Sequence, residues 1–281
     1  MPARPRRYFV DTADGFIHVQ DCGESDAERV VAFVSITSFG GVLLDRVLPL
    51  LAGRGYRVLA FDLMGYGLSD KRRDTWLIPR FADNLAQAVA LTGSVPGGYV
   101  FGHFAGLVGV EYAARRTRGL RGLVLDGTPL VDVERQRNFD PAALPAPIAW
   151  TEDGAHAVAF WKRAYGLLHR LNPEIPLAAQ PPNKLREAYL AYLAVACFEP
   201  GTAEAYHRFD ARTRMRDIEV PSLVVCADTD WNLPHQQAWV DGIPHSRACR
   251  FHGVHPLHEF ERPDRAEEYV ATIDDFFAPL L

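Results

Sequence analysis

Four short stretches of the chain concentrate side chains that can move protons or hold a polar group. They are Asp62-Leu-Met-Gly65-Tyr-Gly67-Leu-Ser69-Asp70, Gly102-His103-Phe104-Ala105-Gly106, Ala227-Asp228-Thr229-Asp230-Trp231-Asn232-Leu233-Pro234 and Gly253-Val254-His255-Pro256-Leu257-His258. Each follows a run with strand character, as does Asp126. Ligands of open α/β sheets bind at the carboxyl ends of the strands, so these residues are candidates to meet in one site. The pool includes the imidazoles His103, His255 and His258 and the carboxylates Asp126, Asp228 and Asp230. An imidazole oriented by a carboxylate is a general base, able to take a proton from O–H, N–H, C–H or water. Metal chemistry is not indicated. His255 and His258 are a weak pair, and Cys22, Cys197, Cys226 and Cys249 form no Cys-x-x-Cys. Gly65-Tyr-Gly67 lacks the third glycine and the distant acid of a dinucleotide fingerprint, so no cofactor is expected.

The elements that must position these residues can be read from the apolar pattern. Tyr8-Phe9-Val10 and Phe16-Ile17-His18-Val19 flank the turn Ala13-Asp14-Gly15 and read as a hairpin. Val30–Val34, Tyr56–Phe61, Gly98–Phe101, Leu123–Leu125, Leu223–Cys226 and Ala248–Phe251 read as strands, the first a continuous apolar run buried on both faces. Helical spacing covers Leu43 to Leu51, Pro79 to Leu91, Ala105 to Arg115, His235 to Val240 and Pro263 to Phe277. Strands that alternate with helices predict a mostly parallel, doubly wound sheet. From Val131 to Met215 there are helical stretches and aromatics, Trp161 among them, but no buried strand. That predicts a core of residues 1–130 and 216–281, with residues 131–215 inserted as a helical cap.

With these stretches in this order, the chain resembles the α/β-hydrolase superfamily, in the subgroup with a helical cap, from about Phe16 to Leu280. The resemblance implies the α/β-hydrolase fold and a site at the strand ends. It implies that Asp230 and His255 are the acid and the histidine of the catalytic set, with Asp228, Asp126 and His258 as rivals. It leaves His103 a structural role. The family's elbow is G-x-S-x-G, and the serine position here is Phe104, between Gly102 and Gly106. A phenyl ring cannot attack a carbonyl. A bulky side chain at a turn with positive φ costs of order 1–3 kcal/mol. The family's His-Gly pair after the first buried strand is replaced by Ser35-Ile36. The backbone N–H groups of Thr37 and Ala105 would still form an oxyanion pocket. Phe104, Phe39, Ser38, Ser35, Trp231, Asp126 and Trp161 are the expected substrate-binding residues.

A His255–Asp230 pair without an elbow nucleophile points to a cofactor-independent, non-hydrolytic enzyme. The expected reaction is a cyclisation, isomerisation, lysis or cofactor-free oxygenation of a small apolar or aromatic molecule. The alternatives are a hydrolase that works through His-activated water or a relocated Ser35 or Ser38, and a small-molecule-binding pseudoenzyme. Composition narrows the partners. The chain has 281 residues, 48% apolar and 23% charged, with a net charge of −5, values of a globular domain without a basic face for nucleic acid. Met1-Pro-Ala-Arg-Pro-Arg-Arg is followed by no apolar signal core, and no run of 18 apolar residues occurs. The expectation is a cytoplasmic monomer or homodimer with a small-molecule substrate and no membrane or nucleic-acid partner.

Overall fold

The computed structural model describes residues 4–34, 44–71, 74–115, 119–140, 142, 148–171, 199–258 and 262–281. A hairpin, β1 (Arg6–Thr12) and β2 (Gly15–Cys22), precedes β3 (Arg29–Val34). Next come α1 (Val47–Gly53), β4 (Tyr56–Phe61), α2 (Ile78–Leu91), β5 (Gly98–Gly102), α3 (Phe104–Arg115) and β6 (Gly122–Asp126). Between β6 and β7 (Ser222–Ala227) the described elements are helical: α4 (Val133–Arg137), α5 (Ala155–Leu171), α6 (Glu199–Arg208) and α7 (Ala211–Arg214). The chain finishes with α8 (Gln236–Gly242), β8 (Ser246–Phe251) and α9 (Pro263–Phe277). Among the described residues no helix is long and apolar enough to cross a membrane.

Strand pairing gives one eight-stranded sheet in the order β1-β2-β4-β3-β5-β6-β7-β8. The hairpin is antiparallel and joins β4 antiparallel; every pairing from β4 through β3 to β8 is parallel. This is the expected α/β-hydrolase architecture. Alternation of side chains across the pleat divides the core into two. Ala32, Val34, Phe61, Phe101 and Leu125 face the layer of α2, α3 and α8, with Phe81, Leu107 and Trp239. Val31, Phe33, Ala60, Val100 and Val225 face α1 and α9, with Leu48, Tyr269 and Phe277. Both faces are covered, as the continuous apolar strand runs require. Helix α1 starts at Val47, later than the expected Leu43. Pro49 has no N–H for a helical bond back to Asp45, and is accommodated in a first turn where that N–H would be unpaired anyway.

The stretch after β4 folds into a turn around the Asp62 carboxylate. Asp62 Oδ2 accepts from His18 Nδ1 (2.8 Å) and from the backbone N–H of Leu68 (2.9 Å). Ser69 Oγ donates to Asp62 O (2.7 Å) and accepts from His18 N (2.9 Å). Gly67 has φ +49°, and a Cβ there would lie 2.1 Å from Asp62 Oδ2. The turn thereby presents Tyr66 to the start of α3. Its hydroxyl is hydrogen-bonded to Thr202 Oγ1 on α6. Helix α3 is tied further by Glu111, buried to 1% exposure and ion-paired with Arg115 (3.1 Å) and with Arg214 on α7 (3.0 Å).

Gly67→Ala places a methyl group against that carboxylate on a left-handed backbone. It should destabilise the protein by about 1–3 kcal/mol, and each kcal/mol lowers Tm by about 2–4 °C in a chain of this size. Calorimetry that finds a wild-type Tm would contradict this account of the turn.

Candidate active site

The parallel strands β5 to β8 end on one edge of the sheet, and the register brings Gly102 opposite Asp126 and Asp126 opposite Val225. Asp126 is the last residue of β6, with a side chain 2% exposed. A carboxylate so buried needs partners, and it has two. Its Oδ1 accepts from His255 Nε2 at 2.9 Å, and its Oδ2 accepts from the Tyr269 hydroxyl at 2.8 Å. Its backbone oxygen accepts from His103 N at 2.7 Å. Burial pushes the Asp126 carboxyl up, but His255, the Tyr269 hydroxyl and His103 outweigh it and hold the group below the usual carboxylate range. Burial and the adjacent carboxylate push the Tyr269 phenol well up, so it remains a donor.

The carboxylate that meets His255 is therefore Asp126, which corrects the pairing with Asp230. Asp230 is used differently. Its Oδ1 accepts from Asn232 N (2.8 Å), an Asx turn that closes the loop after β7. The Asn232 amide then donates to Gly127 O (2.8 Å). Asp230 Oδ2 faces His103, 4.0 Å from its Nε2. Asp228 lies on the outside, where it accepts from Gly253 N and pairs with Arg250 and His252. It fastens the loops after β7 and β8 together.

His255 has both ring nitrogens engaged, because Nδ1 accepts from Leu257 N at 3.2 Å while Nε2 holds Asp126. Its ring packs edge-on against Phe251 (5.6 Å) and lies 5.5 Å from the Tyr269 ring. The His258 ring lies 5.1 Å from His255 and 6.3 Å from His103. Burial, with His255 and His103 close by, pulls the His258 imidazole well below its ordinary range. Burial also lowers His103, against the opposing pull of Asp230 and Asp126. Three imidazoles and two carboxylates thus share one corner of the molecule.

The elbow differs from expectation. Positive φ falls on His103 (48°), not on Phe104. Phe104 is the first residue of α3 and packs among Tyr66 (6.2 Å) and Phe81 (5.8 Å, edge-on) in the core. The reason is steric and hydrophobic. A phenyl ring at positive φ would be strained, whereas histidine is among the residues that tolerate the left-handed region. Beginning the helix at Phe104 buries the ring and moves the strain to His103. Gly106 remains essential to this turn, since a Cβ there would come within 2.0 Å of Thr128 Oγ1.

Trp231, 45% exposed, stands 5.7 Å from the His103 ring at the outer side of the cluster. Trp161 is half-buried on α5. As the second residue of α3, Ala105 has an N–H beyond the helix's own ladder, as an oxyanion donor must. Thr37, Ser35, Ser38 and Phe39 lie outside the described residues. Burial raises the Cys226 thiol, which leaves it no nucleophile. A groove of ≈ 640 Å³ lined by Leu77, Val133, Phe139 and His207, among others, shares no residue with the cluster. Sequence reasoning missed Tyr269, which carries no signal beyond its helical spacing, and gave His103 no chemistry.

Residues 33–258 match the family described as alpha/beta hydrolase fold. The chain is 24% identical over 288 residues to a proline iminopeptidase of Heyndrickxia coagulans, covering 95% of this chain and 97% of the relative. Its fold matches a hydrolase from Pseudomonas aeruginosa PA01 (TM-score 0.77, 20% identity, 97% of this chain and 98% of the other). It also matches the enol-lactonase from Burkholderia xenovorans LB400 (TM-score 0.71, 18% identity, 96% and 100%). These are names of hydrolytic enzymes. They overturn the expectation of a non-hydrolytic cyclase, isomerase, lyase or oxygenase and favour the hydrolase alternative.

The Tyr269–Asp126 bond can be tested by pH. A carboxyl held below its ordinary 3.8 contributes stability above that pH, which is lost as the pH falls through the folded-state value. Tyr269→Phe removes a donor to the charged form, so the folded-state value rises and acid unfolding begins at higher pH. At pH 7 the loss should be about 1.5–3 kcal/mol by urea denaturation. An unchanged acid midpoint would mean that the hydroxyl does not support Asp126.

Proposed function

The chain belongs to the α/β-hydrolase fold family, and from that membership we propose that it is a hydrolase in which a histidine activates water. The single observation that carries this reading is the buried His255–Asp126 pair at the strand ends, beside an elbow that offers His103 and Phe104 in place of a serine. The names of an iminopeptidase and an enol-lactonase among its relatives favour a carbonyl-centred substrate, an ester, lactone or amide. The exposed Trp231 favours one that is small and partly apolar.

In this reading an imidazole of the cluster takes a proton from water as the water oxygen attacks the carbonyl carbon. The oxyanion that forms is met by the N–H group of Ala105. As the intermediate collapses, the proton passes to the leaving oxygen or nitrogen. Asp126 and Asp230 stabilise the transient imidazolium electrostatically, the role a carboxylate plays beside a catalytic histidine. His255 holds Asp126 in place, and its engaged nitrogens make it a positioning residue in this conformation.

Wild-type protein should release product from at least one of p-nitrophenyl acetate, p-nitrophenyl butyrate, γ-butyrolactone and L-proline p-nitroanilide. Asp126→Asn should lower kcat/KM by about 100- to 10,000-fold. A fluorophosphonate probe should leave no adduct on the folded protein, read by intact mass. An adduct on Ser35 or Ser38 would replace the water route with a relocated nucleophile. No turnover of any member of the set would overturn the hydrolase reading.

A further inference from the structure

We propose that His103 is the general base of this site. It holds the left-handed turn between β5 and α3, and Asp230 is its carboxylate partner. The inference rests on the hydrolase reading above and names the residue that carries it.

Three independent observations lead to His103. The first is strain. His103 has φ 48°, a backbone state that costs a non-glycine residue about 1–3 kcal/mol and persists only where the surroundings enforce it. They do so here through His103 N to Asp126 O (2.7 Å) and Gly106 N to His103 O (2.8 Å), at the junction of β5 and α3. The second is availability. His255 uses both ring nitrogens, whereas the His103 ring makes no hydrogen bond among the described residues, and Asp230 Oδ2 lies 4.0 Å from its Nε2. His103 is also the most accessible of the three imidazoles, 9% exposed against 3% for His255 and 5% for His258, on the side where Trp231 reaches solvent.

The third is the space built around the pair. Gly127 has φ +57°, and a Cβ there would lie 2.4 Å from Asp230 Oδ2 and 3.2 Å from His103 Nε2. A side chain at position 127 would occupy the place where the two groups approach each other. The groups that face His103 are Asp230, Asp126, His255 and His258. Burial keeps the ring neutral near pH 7, and the two carboxylates draw it back toward protonation, a balance suited to a base that must accept a proton and release it. The step is balanced within the substrate and water. The His103 nitrogen takes a proton from water, and the water oxygen bonds to the acyl carbon. The acyl–oxygen bond then breaks, and the proton leaves on the departing oxygen.

Asparagine tolerates the left-handed backbone and has no titratable nitrogen, so His103→Asn separates chemistry from folding. With p-nitrophenyl acetate it should lose about 100- to 10,000-fold in kcat with little change in KM, and lose the acidic limb of the pH–rate profile. His103→Gly, which also suits this φ, should regain activity with added imidazole. Asp230→Asn removes a charge that favours the protonated ring, so it should move the acidic limb to lower pH. Wild-type turnover with His103→Asn retaining both rate and pH profile would overturn the assignment and leave the hydrolase reading standing. An unmoved limb in Asp230→Asn would overturn the pairing. Absence of turnover in the wild type would remove the hydrolase reading, and this proposal with it.

Discussion

The site depends on the need to satisfy one buried carboxylate. Asp126 ends a central strand, sealed from water, and an unpaired charge there would cost several kcal/mol. Its carboxylate partners come from distant parts of the chain, His255 from the loop after β8 and Tyr269 from α9, while the backbone oxygen of the same residue accepts from the His103 amide at the β5–α3 junction. Satisfying Asp126 therefore fixes three otherwise independent segments relative to one another. The elbow, the histidine loop and the last helix are placed by electrostatics as much as by apolar packing.

A second layer of constraint is steric. Gly67, Gly106 and Gly127 each sit where a methyl group would strike a neighbour: the Asp62 carboxylate, Thr128 and Asp230 respectively. Gly67 and Gly127 lie in turns that follow strands and Gly106 in the first turn of α3, and each lets a polar group approach the backbone closely. The histidines and aspartates can be crowded into one corner because the chain between them has so little side-chain volume.

The central strands were legible in the sequence because each is a dense apolar run. Tyr56–Phe61 matches residue for residue, and the others differ by one to three at their ends. The helix before β4 was read too long because Pro49 was not weighed. The site was legible as a set and not as a wiring diagram. His255, Asp126 and Asp230 all lie in the cluster, but spacing along the chain carries no information on which carboxylate turns toward which ring. That depends on the Asx turn of Asp230–Asn232 and on the reach of β6. Tyr269 was invisible because an apolar-face tyrosine in an amphipathic helix looks like any other core residue. The shift of strain from Phe104 to His103 depends on where a helix begins, and pattern alone locates such boundaries poorly.

The burial of Phe104 also bears on the history open to this protein. A single exchange of phenylalanine for serine would restore the G-x-S-x-G string but not the geometry that the string signifies. The new hydroxyl would lie at the foot of α3, among Tyr66 and Phe81, where a void and an unpartnered polar group would both be penalised. The strained position would still hold an imidazole. Regaining a serine elbow would require the turn to slip by one residue and the aromatic cluster to be refilled. The elbow is locked by its packing into the arrangement it now has.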